Sequence, residues 1–288
     1  MSGVGLIAGD TLLGRHMAVR LARALSGTDD PLRSVLVLEP FARPQRRSLP
    51  LRMARRLRRL ISDRDRLTDL VQRYEREARA VFLDSVGPLP DWPEGCEIRR
   101  IPRAEVNAAT TVAWQAGFEP AVIVLTGTPI IHAPMLRTAS RGVLNLHGSL
   151  LPHYRGTRVE TWQLLNGDLD KAGLTIHYVE ASIDTGDIVA QVPQAAEVSD
   201  GPWIMRARNQ LHALDAMPKA VCEVLAGTAE RRRQDPEAGG RTYRYEDITP
   251  EILHEVIAIM KRMPCADPTR GFGPDSVMCR PLARWRSR

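Results

Sequence analysis

At 288 residues the chain is long enough for one large hydrophobic core, alone or with a small appended unit, and needs no disulfide or metal staples to fold. Its 43% apolar and 26% charged content is that of an ordinary globular protein, and no apolar run approaches the ~20 residues of a membrane-spanning helix. The net charge of +6 is local: residues 43–79 hold thirteen arginines against five acids, a segment charge of +8 that leaves −2 for the rest, so overall basicity is a poor argument for a nucleic-acid surface.

In chain order, the start has no basic segment and no cleavage signal, and Gly9 and Asp10 interrupt its apolar run, so a cytoplasmic location is expected. "VGLIA" (4–8) reads as a buried strand. Gly9 and Gly14 bracket a turn into a helix with Leu13, Met17, Leu21 and Leu25 at steps of four. The G-x-G-x-x-G spacing of a dinucleotide site is absent, so the turn is taken as a plain tight βα connection. "SVLVLE" (34–39) and "AVFLD" (80–84) read as further strands. The arginine-rich insert between them reads as an amphipathic helix with Leu57, Leu60 and Ile61 inward; docking of a phosphate-bearing substrate or an anionic surface is its second reading. Residues 104–117 read as a helix closed by glycine, and "AVIVL" (121–125) and "GVLNL" (142–146) as strands. A helix over 157–168 precedes two strands, 173–179 and 187–192, joined by the turn-rich loop "EASIDTG". From Pro193 the pattern turns helical, around 204–225 with an interruption at Pro218 and again over 250–263, and the tail from 264 reads as loose. Cys96, Cys222, Cys265 and Cys279 form no C-x-x-C pair, which fits reduced thiols. Alternating strands and helices of this length predict an α/β fold with a doubly wound, mostly parallel, Rossmann-like sheet over residues 1–192, and a smaller, mainly helical extension over 193–288.

The chemistry-bearing stretch is "GVLNLHGSLLPHYRG" (142–156). Side chains alternate across a strand, so Asn145 and His147 share one face of "VLNLH", and Thr175 and His177 share a face of "GLTIHYV". The carboxyl end of a parallel strand opens on the crevice where α/β sheets bind ligands. An isolated N-x-H is more often a turn cap and a packed histidine, and Asp-Thr-Gly at 184–186 is by itself an ordinary turn.

Together, "NLHGSLLPHYRG" and "NGDLDKAGLTIHYVEASIDTGDIVAQ" resemble the formyltransferases that use 10-formyltetrahydrofolate, which include the glycinamide ribonucleotide, methionyl-tRNA and sugar-nucleotide enzymes. The resemblance covers residues 4–192, with "LTGTPII" a weaker part of it. It implies a catalytic trio of Asn145, His147 and Asp184, and folate-binding segments at Pro129, Ile130 and Ile131 and at Ala181, Ser182 and Ile183. It implies no metal and no nucleotide cofactor, with 10-formyltetrahydrofolate as co-substrate. The implied chemistry is coherent: as an amine attacks the formyl carbon, Asn145 and His147 would donate to the oxyanion, and Asp184 would relay a proton and favour a charged imidazole. Ser149 as a nucleophile is discounted, because the G-x-S-x-G elbow is missing.

The acceptor is read as a small phosphorylated or nucleotide-linked amine, an amino sugar being favoured, with Tyr154, Arg155, Thr175 and His177 assigned to it. Arg155 or the 43–79 segment would take its phosphates, and Tyr154 and Trp162 can stack on a base or sugar, although packing is the commoner role of such rings. Nucleic acid is disfavoured, since the region after residue 192 lacks the regularly spaced strands of the tRNA enzyme's barrel, but tRNA stays open. A homodimer, a deformylase with water as acceptor, and a non-catalytic folate-binding scaffold also stay open.

Overall fold

The computed structural model describes residues 2–39, 63–235, 238 and 240–262. The chain opens on β1 (Gly3–Gly9), which is buried along its whole length, and turns at once into α1 (Leu12–Ala24). The turn is tight for a definable reason. Thr11 caps the helix by accepting from the Gly14 amide at 3.1 Å, and a Cβ at Gly14 would lie 2.3 Å from the Gly9 carbonyl oxygen. Only glycine lets the helix start so close to the strand.

After β2 (Leu32–Leu38) comes α2 (Asp63–Val86), then β3 (Glu97–Ile101), α3 (Ala109–Ala116), β4 (Pro120–Thr126), the one-turn α4 (Ala133–Leu136) and β5 (Gly142–His147). The short β6 (Arg155–Gly156), α5 (Val159–Asn166), β7 (Gly173–Tyr178) and β8 (Ile188–Pro193) follow, and then α6 (Gly201–Ala226), β9 (Thr242–Tyr243) and α7 (Pro250–Arg262). Seven strands form one sheet in the order β3-β2-β1-β4-β5-β7-β8. The pairs from β3 to β5 are parallel, whereas β7 runs antiparallel to both β5 and β8. The fold is thus the expected doubly wound, mostly parallel α/β sheet with a helical carboxyl-terminal region.

Successive side chains of each strand enter different cores, as pleating demands. Leu6, Ala8, Val35, Val37 and Leu144 face a layer completed by Leu13, Met17 and Leu21 of α1 and by Leu214, Met217 and Val221 of α6. Ile7, Leu36, Ile123, Leu125 and Val143 face the opposite layer, with Val106, Met135 and Ala139. Full burial of each such side chain stabilises by about 1.5–3 kcal/mol. A third cluster joins Leu67 and Ala78 of α2, Leu164 of α5, Trp203 of α6 and Val256 and Ile257 of α7.

Three expectations change. Residues 80–84 are the last turns of α2, not a strand: Leu67, Val71, Tyr74, Ala78 and Phe82 keep a helical spacing through the run, and Ala78 and Phe82 are buried on it. A short apolar stretch cannot by itself be told from a strand. The third strand is instead "EIRRI", in which only Ile101 is buried, because it lies at the sheet edge and carries charge outward. Finally, α6 runs unbroken through Pro218, which is buried; the packing of its neighbours Leu214, Met217 and Val221 in the core outweighs the one lost backbone bond. Residues 43–62 of the insert, with Leu57, Leu60 and Ile61, and residues 263–288, with Cys265 and Cys279, lie outside the described residues.

Candidate active site

The polar centre forms where β5 ends. Asn145 pairs in register with His177, and His147 with Thr175, across the antiparallel β5–β7 ladder, so the four side chains share one face. Asp184 reaches the same place from the β7–β8 loop, in a left-handed conformation at φ +52°. Its Oδ2 lies 3.3 Å from His147 Nδ1 and its Oδ1 3.4 Å from His177 Nε2. The Gly156 amide donates to Oδ2 at 2.8 Å. Asn145 Nδ2 stands 3.3 Å from His177 Nε2.

At the other end of the His147 ring, Nε2 lies 2.7 Å from the Tyr154 carbonyl oxygen and 3.1 Å from Ser149 Oγ, while Ser149 itself donates to Tyr154 O at 2.8 Å. Both ring nitrogens of His147 therefore face acceptors, an arrangement an imidazolium satisfies with its two donors. Burial pushes the Asp184 carboxyl up, but the imidazoles of His147 and His177 and the Gly156 amide outweigh it and hold the group well below the usual carboxylate range. Asp184 is accordingly an anion set against imidazole, and with the Asn145 amide the set offers hydrogen-bond donors beside a proton acceptor.

The other candidates fall in distinct places. Ile130 is 66% exposed and Ile183 44% exposed, on the two loops that flank this end of the sheet. Ala181 and Ser182 are exposed too, Pro129 is half-buried and Ile131 is buried in the core below. Asn107 holds the first loop by donating to Ile130 O and accepting from the His132 amide, both at 2.8 Å. Thr175 is fully buried: its hydroxyl donates to Ser149 O and accepts from the Leu151 amide and from Gln191. His177 is buried behind Asp184 with Nδ1 on Tyr178 O at 2.8 Å. The Tyr154 ring stacks on Tyr243, which stacks on Trp162, and its hydroxyl meets Asp168 and Asn166. Burial, and then the neighbouring Asp168, push that phenol up to about 12. Arg155 is half-buried with Nη2 on Gln234 Oε1 at 3.3 Å.

A cavity of about 410 Å³ opens beyond the carboxyl ends of β1 and β4, its walls including Thr11, Glu75, Arg79, Phe82, Trp203 and Arg206. It also touches Thr126, one residue beyond Leu125, the register partner of Asn145. Arg206 is fixed there by a 3.0 Å bond to the buried Glu160. Among the described residues no cluster of His, Cys, Asp or Glu could hold a metal ion, and no helix is long and apolar enough to cross a membrane.

Sequence reasoning missed Asn107, Gly156 and Gln234. All three act on or through backbone groups, and no spacing of side-chain types marks such contacts in a sequence. Ser149 was considered only as a nucleophile; its hydroxyl is instead committed to the Tyr154 carbonyl.

Fold and site together define a doubly wound α/β protein with an Asn–His–Asp centre at the carboxyl edge of its sheet. Residues 60–221 match the family described as Formyl transferase, and the chain belongs to that family. A methionyl-tRNA formyltransferase of Chlorobium chlorochromatii is 28% identical over 151 residues, 52% of this chain and 48% of that protein. The chain spans 36% to 54% of the length of the curated relatives it matches. Among solved structures, an N-formyltransferase from Helicobacter canadensis in complex with folinic acid and dTDP-3-aminofucose is 15% identical, with a TM-score of 0.53 over 90% of this chain and 81% of that one. Glycinamide ribonucleotide transformylase 1 from Symbiobacterium toebii is 19% identical, with a TM-score of 0.52 over 81% and 93%. At such identities the likeness is one of fold.

Proposed function

We propose that the protein transfers the formyl group of 10-formyltetrahydrofolate to the primary amine of a small, phosphorylated or nucleotide-linked acceptor, an amino sugar being the favoured class. The observation that carries the reading is the convergence of Asn145, His147 and Asp184, with His147 Nδ1 3.3 Å from Asp184 Oδ2 at the end of β5. As the amine adds to the formyl carbon, the carbonyl oxygen gains negative charge; the Asn145 amide is a donor for it, and the His147 imidazole becomes one when its Nε2 turns from the Tyr154 carbonyl to the substrate. The attacking nitrogen becomes cationic and must lose a proton while the departing folate nitrogen gains one. Asp184, an anion at neutral pH, accepts or relays that proton and keeps the imidazole a donor. Exposed Ile130 and Ile183 suit the apolar faces of a pterin ring on the two flanking loops.

The cavity at the ends of β1 and β4 supports a small acceptor. Its volume falls within the range usual for small-molecule sites, and Arg79 and Arg206 on its walls are suited to phosphate. Transfer to methionyl-tRNA is the second reading, favoured by the name of the curated relatives.

The test is tetrahydrofolate release from 10-formyltetrahydrofolate with amino-sugar nucleotides, glycinamide ribonucleotide, methionyl-tRNA or no acceptor. Release that requires an amino-sugar nucleotide is the expected result. Release without any acceptor would make the protein a deformylase, and folate binding with no release in any arm would sink the transferase reading.

A further inference from the structure

Asp184 sits at φ +52°, a left-handed conformation that aspartate tolerates better than most residues, and its loop is held from outside as well. The chain supplies that support from fifty residues downstream. Gln234 is buried, and its Nε2 donates to the carbonyl of Asp184 at 2.9 Å and to that of Gly186 at 2.7 Å. One amide group thus spans two carbonyls of the loop, the second two residues beyond the first. The Gln234 Oε1 accepts from Arg155, and the next residue, Gly156, gives its amide hydrogen to the Asp184 carboxylate. Backbone and side chain of Asp184 are therefore held by neighbours that Gln234 joins.

The register of Gln234 is itself fixed. Two residues earlier, Arg232 exchanges a pair of backbone hydrogen bonds with Ile188 of β8, at 2.9 and 2.8 Å. Further on, Gly240 donates to Pro152 O, Arg155 donates to Arg241 O, and Thr157 donates to Tyr243 O. The contact is close: Gly156 has φ +91°, and a Cβ there would lie 1.9 Å from the Tyr243 carbonyl oxygen.

We propose that residues 232–235 and 240–243 form a strap across the catalytic end of the sheet, with Gln234 as a positioning residue that sets the Asp184 carboxylate against His147. The inference rests on the role given to Asp184 above. Gln234 touches no substrate. It acts by keeping the carboxylate within reach of the imidazole, where a displacement of about 1 Å costs roughly a hundredfold in rate.

The experiment uses the full chain and Gln234→Met, which keeps the side chain's length and volume and removes both donors. The titration of the Asp184 carboxyl is followed by carbon NMR without substrate, and kcat and KM are measured with the best acceptor. In the wild type the carboxyl signal is expected to stay at its ionised position down to acid unfolding. In Gln234→Met it should titrate near the ordinary value of about pH 4. The strap also predicts that kcat falls roughly thirtyfold to a hundredfold while KM for the folate moves less than about threefold. An Asp184 signal that behaves as in the wild type, whatever the variant's thermal midpoint, overturns the proposal and leaves Gln234 a merely structural side chain. Should Gln234→Met not fold, Gln234→Leu, which likewise removes the donors and adds no charge near Asp184, is read the same way. A shifted Asp184 titration in a protein whose wild type transfers no formyl group would keep the strap and sink the activity instead.

Discussion

Strands β1 and β4 are buried from end to end, and between them they contribute one buried polar side chain, Thr126. The β5–β7–β8 end of the same sheet, with the helices and strap around it, is built otherwise: of the fifteen buried polar or charged residues described, ten come after residue 146, among them His147, Ser149, Thr175, His177 and Gln234. Each of these needs a partner, because an unpaired buried polar group costs about 1–3 kcal/mol. The first region fixes its geometry through apolar packing, which tolerates exchange among hydrophobic shapes. The second fixes its geometry through directed bonds, which tolerate little. The lesson is a division of labour within one ladder of strands, and it can be tested by striking each region in turn.

The largest effect is expected at the polar end. His147→Ala and Asp184→Ala should each lower kcat by roughly a thousandfold, with far-UV circular dichroism unchanged. Activity retained within tenfold would detach the trio from the chemistry. In the apolar region, Leu36→Ala should lose about 3 kcal/mol in urea unfolding, since Leu36 is fully buried, yet leave kcat per folded molecule unaltered. A parallel fall in kcat would erase the distinction between the regions. Gly156→Ala should cost about 2 kcal/mol and also reduce activity, because the clash with Tyr243 O moves the amide that binds Asp184.

A subtler difference is one of pH. Asp184 has its pKa lowered in the folded state, so its contribution to stability is fully present above the unfolded carboxylate value and is lost as pH falls toward the folded one. The difference in unfolding free energy, wild type minus Asp184→Asn, should hold steady above about pH 5 and shrink below about pH 4. A difference independent of pH would mean that the carboxylate gains nothing from its imidazole neighbours. Smallest of all, Arg73→Ala breaks an exposed i,i+4 pair with Glu77 on α2 and should change stability by less than about 0.5 kcal/mol.

The same contrast governs what could be read from the sequence. Apolar runs announced β1, β2, β4 and β7, because a strand buried on both faces leaves an unbroken hydrophobic signature, and shorter apolar runs marked the partly exposed β5 and β8. Edge strand β3 left none, since Glu97 and Arg100 are exposed and Arg99 lies over the Trp114 ring. Residues 80–84 misled for the opposite reason, as a helix that happens to place apolar residues side by side. At the site, the composite around Asn145, His147 and Asp184 was visible because it joins distinctive residue types at a fixed spacing on paired strands. Gln234 and Asn107 were invisible because they bind carbonyls and amides that every residue carries. Burial of Thr175 and of the Tyr154 ring could not be foreseen either, as it depends on how the loop after β5 folds back over β7.

The strap has a temporal side. β5 is complete by residue 147, and the loop bearing Asp184 by residue 187, but the contacts that hold that loop wait for Gln234 and Tyr243. During synthesis from the amino terminus the sheet can condense well before its reactive corner is secured. The corner that holds Asp184 is thus secured only by chain made fifty residues after the loop it fastens.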